Sequence, residues 1–110
     1  MCRLAELEDP GSRGFSIPRT DDEPLELFVV RRGGDVYAYR NQCPHTGAPL
    51  EWQPDQFLDF DGSFIQCAMH GALFDIARGR CLRGPCVGDH LQPLSVVLSG
   101  GSVFLRLAEE

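Results

Sequence analysis

Residues 41–50 read NQCPHTGAPL, and residues 65–75 read IQCAMHGALFD. Each stretch sets one cysteine and one histidine at a loop: Cys43 with His45, then Cys67 with His70. The 21 residues from Thr46 to Gln66 separate the pairs. Thiolate and imidazole together suit zinc, copper and iron–sulfur clusters and disfavour hard, oxygen-seeking ions. Structural zinc sites draw two ligands from a knuckle of C-x2–4-C or H-x3–5-H type. A single residue between Cys43 and His45 is too short for that, but it is natural if adjacent ligands bind different atoms. A cluster with two irons offers this division, with the two cysteines on one iron and the two histidines on the other.

Working outward, the chain alternates β-rich runs with Gly, Pro and Asp turns. ELFVVRR (26–32) passes through Gly33-Gly34-Asp35 into VYAYRN (36–41), which predicts a hairpin. QFLDF and SFIQC flank Asp61-Gly62, a two-residue hairpin signal in which both central residues are expected at positive φ. LSVVL (94–98) and SVFLRL (102–107) flank Ser99-Gly100-Gly101 and predict a third hairpin. No stretch sustains a helical apolar period, and eight prolines interrupt the candidates; Leu4–Leu7 is the one marginal case. The expectation is all-β, in small antiparallel sheets, as a single domain over 1–110.

The whole chain resembles the Rieske proteins. CPHTGAPL and CAMHGALFD are similar to that family's boxes C-x-H-x-G-x-x-L and C-x-x-H-G-x-x-F/Y-D, and GRCLRGPC (79–86) resembles its Gly-Pro loop over the cluster. The resemblance implies a Rieske-like fold with a cluster-binding subdomain, approximately 41–87, formed by two hairpin loops. It implies one 2Fe–2S cluster, with Cys43 and Cys67 on the buried iron and His45 and His70 on the outer iron, and electrons passing through the histidine edge. The 21 residues between the boxes exceed the family's usual spacing by a few, which DQFLDFDGSFIQ accommodates as a longer arm.

Absent residues give the subtype. Where the high-potential Rieske proteins carry a disulfide, the positions of this chain that resemble its two cysteines are Ala48 and Met69, so no such bridge can form. Where they carry hydroxyl donors to the cluster, it has Ala72 and Phe74. Fewer hydrogen bonds to cluster sulfur mean a lower potential, near the bottom of the span of about −150 to +300 mV. The implied function is a one-electron carrier between a flavin-dependent reductase and a terminal oxygenase. It is not an enzyme: no facial triad, nucleotide loop or substrate domain accompanies the boxes. Two alternatives remain, the small subunit of a larger reductase such as nitrite reductase, and a zinc-bound interaction module.

Composition limits the partners. The formal charge is −6 and every basic residue is Arg, so nucleic acid and anionic lipid are disfavoured. No apolar run is long enough to span a membrane, and no secretory signal is visible. Five cysteines, an odd number, fit a reducing compartment, and a cytoplasmic location is expected. Beyond the ligands, Cys81, Cys86 and Cys2 read as packing residues, and His90 as a surface residue. Arg78, Arg80 and Arg83 read as a solvated hairpin, with a docking patch as the alternative. Trp52, Phe57, Phe60 and Phe64 read as core, or as a shield for the arm.

Overall fold

The computed structural model describes residues 2–19, 23–44, 47, 49–51, 53, 55–68, 71–84 and 87–106. Among the described residues, nine strands form two antiparallel sheets. They are β1 (Cys2–Arg3), β2 (Gly11–Ile17), β3 (Leu25–Arg32), β4 (Asp35–Arg40), β5 (Ile65–Gln66), β6 (Leu73–Phe74), β7 (Cys81–Arg83), β8 (Pro93–Ser99) and β9 (Ser102–Arg106). The larger sheet runs β1-β9-β8-β4-β3-β2, and the smaller runs β5-β6-β7.

Strand β3 organises the molecule because its apolar run, Leu27 to Val30, is buried on both faces. Leu25, Leu27 and Val29 join Leu7, Ala38 and Val103 in one core. Phe28 and Val30 turn the other way, into a core with Tyr39, Leu50, Phe57, Ile65 and Phe74. A strand covered on both sides loses the polar alternation of a half-exposed one. Phe28 stacks on Phe57 at 4.3 Å and 7° between ring planes. That contact is worth about 0.5–1.5 kcal/mol beyond burial, and it fastens the 55–58 segment to the large sheet.

The terminal hairpin forms as expected: Ser99 pairs with Ser102, and Gly100 and Gly101 take φ +58° and +80°. The β3–β4 hairpin also forms, closing at Arg32 and Asp35. The Asp61-Gly62 hairpin differs from its prediction. Asp59 N–H donates to Phe64 O at 2.9 Å, so the chain reverses over a four-residue loop, 60–63. Gly62 has φ +72°, but Asp61 is not in the left-handed region. The Asp59 carboxylate accepts the N–H groups of Ser63 and Phe64 at 2.9 and 3.2 Å, which stabilises the wider loop over a two-residue turn.

Strand β2 went unpredicted because GSRGFSI carries two glycines and little apolar alternation. It is an edge strand, and the 55–57 segment covers its outer side. There Ser12 Oγ donates to Asp55 O at 2.7 Å, and Gly14 N–H donates to the Asp55 carboxylate at 2.8 Å. The Leu4–Leu7 segment holds a 3₁₀ turn, Leu4–Glu6, whose end is capped by the Arg31 guanidinium on Leu4 O and Leu7 O. Among the described residues, no helix is long and apolar enough to cross a membrane.

Candidate metal centre

The first box leaves β4 through Asn41 and Gln42. Asn41 gathers both ends of the loop. Its side-chain oxygen accepts the Leu50 N–H at 2.8 Å, and its amide nitrogen donates to Glu51 Oε1 at 2.7 Å. Inside the loop, Cys43 O accepts the Gly47 N–H at 2.7 Å, with Gly47 at φ +77°. The second box repeats this arrangement: Cys67 O accepts the Gly71 N–H at 2.9 Å, with Gly71 at φ +65°. A positive φ at the closing position suits glycine, the trailing residue of both motifs.

The two loops are joined. Ala68 N–H donates to Leu50 O at 2.9 Å, and Cys67 N–H donates to Ala72 O at 2.9 Å. Cys43 and Cys67 lie in the same core, 2% and 0% exposed, among Leu50, Phe57, Ile65, Ala72 and Phe74. Gly84 lies against the second box. Its φ is +108°, and a Cβ there would stand 2.9 Å from Ala72 Cβ. Val87 N–H donates to Gly84 O at 3.3 Å and closes the turn.

Among the described buried residues of this core the single hydroxyl is that of Tyr39, and it is committed elsewhere: it donates to Ile76 O at 2.6 Å. Burial, then the charge of Asp75 and then Tyr37 hold its pKa well above the usual tyrosine range. Ala72 and Phe74, whose side chains carry no hydroxyl, are buried hydrocarbon.

His45 and His70 lie outside the described residues, as do Ala48, Met69, Trp52, Pro85 and Cys86. Among the described residues, no group of three or more His, Cys, Asp or Glu side chains comes together. Of the expected donors, the described residues show two buried thiols on twin loops, in a core mostly of hydrocarbon. Such surroundings fit a sulfur-ligated iron cluster and do not fit an oxygen-seeking cation.

A model of the Rieske [2Fe–2S] domain matches residues 2–98. The chain belongs to the Rieske [2Fe–2S] domain family. Its cofactor is accordingly a Rieske 2Fe–2S cluster. This Rieske chain is 28% identical to the 3-phenylpropionate/cinnamic acid dioxygenase ferredoxin subunit of Photorhabdus laumondii, over 100% of this chain and 94% of that one. The ferredoxin of carbazole 1,9a-dioxygenase from Nocardioides aromaticivorans superposes with a TM-score of 0.71 at 28% identity, covering 94% and 90% of the two chains. A chain from the complex of reduced oxygenase and oxidized ferredoxin in carbazole 1,9a-dioxygenase superposes at 0.74 and 25% identity, covering 96% and 98%.

The remaining sequence candidates separate. Cys81 is a buried free thiol, its Sγ 3.4 Å from Arg83 O, so it packs as expected. Cys2 is half-buried, and burial pushes its thiol pKa up. His90 is exposed, with Nδ1 2.9 Å from Leu91 O. Phe57 is core, whereas Phe60 is fully exposed at the tip of the arm, because the wider loop turns it to solvent. Sequence reasoning missed Asn41 and Asp75. The Asp75 carboxylate accepts the Ala77 N–H at 2.7 Å and folds the β6–β7 tip. The available signal was a short polar side chain opening each loop, the kind that bonds backbone a few residues on.

Proposed function

We propose that this chain is a one-electron carrier serving a terminal oxygenase of the dioxygenase type, with Cys43, Cys67, His45 and His70 as cluster ligands. The observation that carries this reading is the pair of matched loops, each closing from a cysteine carbonyl onto a glycine, tied together and burying both thiols in one core. When bound, the cluster supplies a site that takes up and releases one electron. Cys43 and Cys67 would hold the inner iron, and the hydrocarbon around them excludes water. His45 and His70 would hold the outer iron. Gly84 against Ala72 keeps the cover turn down on the second box.

The names of the ferredoxin relatives support an oxygenase as the electron acceptor. A flavin-dependent reductase as donor, a cytoplasmic location, and one domain over 1–110 with its cluster-binding part at 41–87 complete the proposal. Anaerobic purification followed by iron, sulfide and zinc analysis tests it, together with a reductive titration. Two irons, two sulfides and one reversible electron per chain are expected; a colourless protein with one zinc would overturn the reading.

A further inference from the structure

The cluster-binding part carries its charge in two blocks. From residue 41 to residue 77 there is no basic residue apart from the two box histidines, while Glu51, Asp55, Asp59, Asp61 and Asp75 are acidic. Between Ile76 and Gly88 the order inverts: Arg78, Arg80 and Arg83 are present with no acid, in a protein of net charge −6. All three arginines are exposed. None of them forms a salt bridge with a described carboxylate: Asp75 is occupied by backbone N–H groups, and Asp89, whose backbone oxygen accepts the Cys81 N–H, is the other acid beside the hairpin.

The same hairpin exposes apolar side chains. Phe74 pairs with Cys81 and Leu73 with Arg83, so β7 advances two residues while β6 advances one. Leu82 is the extra residue of this bulge. It is 49% exposed, while its neighbour Cys81 stays buried. Bulges of this kind re-aim a side chain beside functional sites. Val87, 63% exposed, closes the Gly84 turn that lies on the second box. Arginine near exposed apolar side chains is the composition of an interface anchor. The turn's contact with Ala72 sets the Arg83 end of the hairpin beside the second box, while the Arg78 tip lies at the other end, where Gly79 packs against Tyr39 and Leu91.

We infer that the β6–β7 hairpin and the Gly84 turn form the docking face through which electrons leave, and that it fits a partner presenting carboxylates around an apolar hollow. This rests on the carrier reading above. Charge of this placement steers encounter and orients the carrier, although the molecule as a whole is anionic.

The reduced holoprotein is mixed with two one-electron oxidants, anionic cobalt(III)–EDTA and cationic tris(phenanthroline)cobalt(III). In each reaction the cluster loses one electron and Co(III) becomes Co(II). Between about 0.1 and about 1 M salt the Debye length falls from about 10 to about 3 Å, so each oxidant senses chiefly nearby charge. The anionic oxidant should slow as salt rises, against the sign of the net charge. Replacing Arg78, Arg80 and Arg83 with Gln should lower the anionic-to-cationic rate ratio roughly tenfold. The same charge change made at Arg3, Arg13 and Arg32 should leave the ratio within about twofold.

A rate with the anionic oxidant that rises with salt, or equal effects of the two triple variants on the ratio, would overturn the inference and leave the carrier reading intact. Absence of a reversible one-electron couple in the parent protein would overturn both.

Discussion

Replacing Gly84 with Ala should loosen the cover turn from the second box before it unfolds the sheets. Two costs act at this position. The φ of +108° is one that a residue with a Cβ adopts at about 1–3 kcal/mol. The new methyl would lie 2.9 Å from Ala72 Cβ and 3.0 Å from Ala72 Cα, and crowding a packed contact costs about 1–3 kcal/mol more. The sum, roughly 2–6 kcal/mol, is a large part of a domain's total of about 5–15 kcal/mol. The turn can relieve much of it locally by lifting from Ala72, since Val87 and Leu82 beside it are already exposed.

Loss of the cluster's visible absorbance on heating should therefore move to lower temperature than loss of the β-sheet circular dichroism, where the parent protein loses both together. Ala72→Gly in the same chain removes the nearer contact and leaves the backbone cost. A double-mutant cycle should then return a favourable coupling on the order of 1 kcal/mol. Coincident transitions in Gly84→Ala, or a coupling of zero, would refute the packing of this turn on the second box.

Three further outcomes are expected. Tyr39→Phe should cost about 1 kcal/mol at neutral pH through loss of the bond to Ile76 O. Because the folded state raises the tyrosine pKa, its contribution is present below the unfolded value of about 10 and is lost as pH rises above it, so denaturation midpoints should fall there in the parent more than in the variant. Phe74→Tyr should raise the midpoint potential in film voltammetry if the new hydroxyl reaches cluster sulfur. An unchanged potential with a stability loss of about 1–3 kcal/mol, the cost of a buried unpaired hydroxyl, would count against the account of the low potential. His45→Ala and His70→Ala should each lose the cluster spectrum, whereas Cys at either position should keep a cluster of lower potential; a full spectrum in His70→Ala would remove His70 from the ligand set.

The two cysteine-bearing loops were legible in the sequence because each box is local. Each cysteine sits a fixed four residues before the glycine that closes its loop. Gly100 and Gly101 marked the terminal hairpin for a similar reason, since two consecutive positive φ values nearly require glycine. What stayed hidden depends on contacts distant in sequence. Strand β2 pairs along its length with β3 and has its outer edge closed by Ser12 and Gly14 meeting Asp55, more than 40 residues away, and no periodicity within GSRGFSI announces either contact. The Asp59 carboxylate, bonding ahead to Ser63 and Phe64, overrode the two-residue turn that Asp61-Gly62 suggested. The bulge that exposes Leu82 is a register event between β6 and β7, which neither strand encodes alone.

The central claim is a two-iron cluster held by two cysteines and two histidines. Electron–nuclear double resonance on the reduced protein tests it most directly, by reading the nitrogens bound to the paramagnetic centre. The account predicts strong couplings from two imidazole nitrogens, one lost in His45→Cys and the other in His70→Cys. A reduced cluster with no strong nitrogen coupling, or with couplings unchanged by both substitutions, would contradict it.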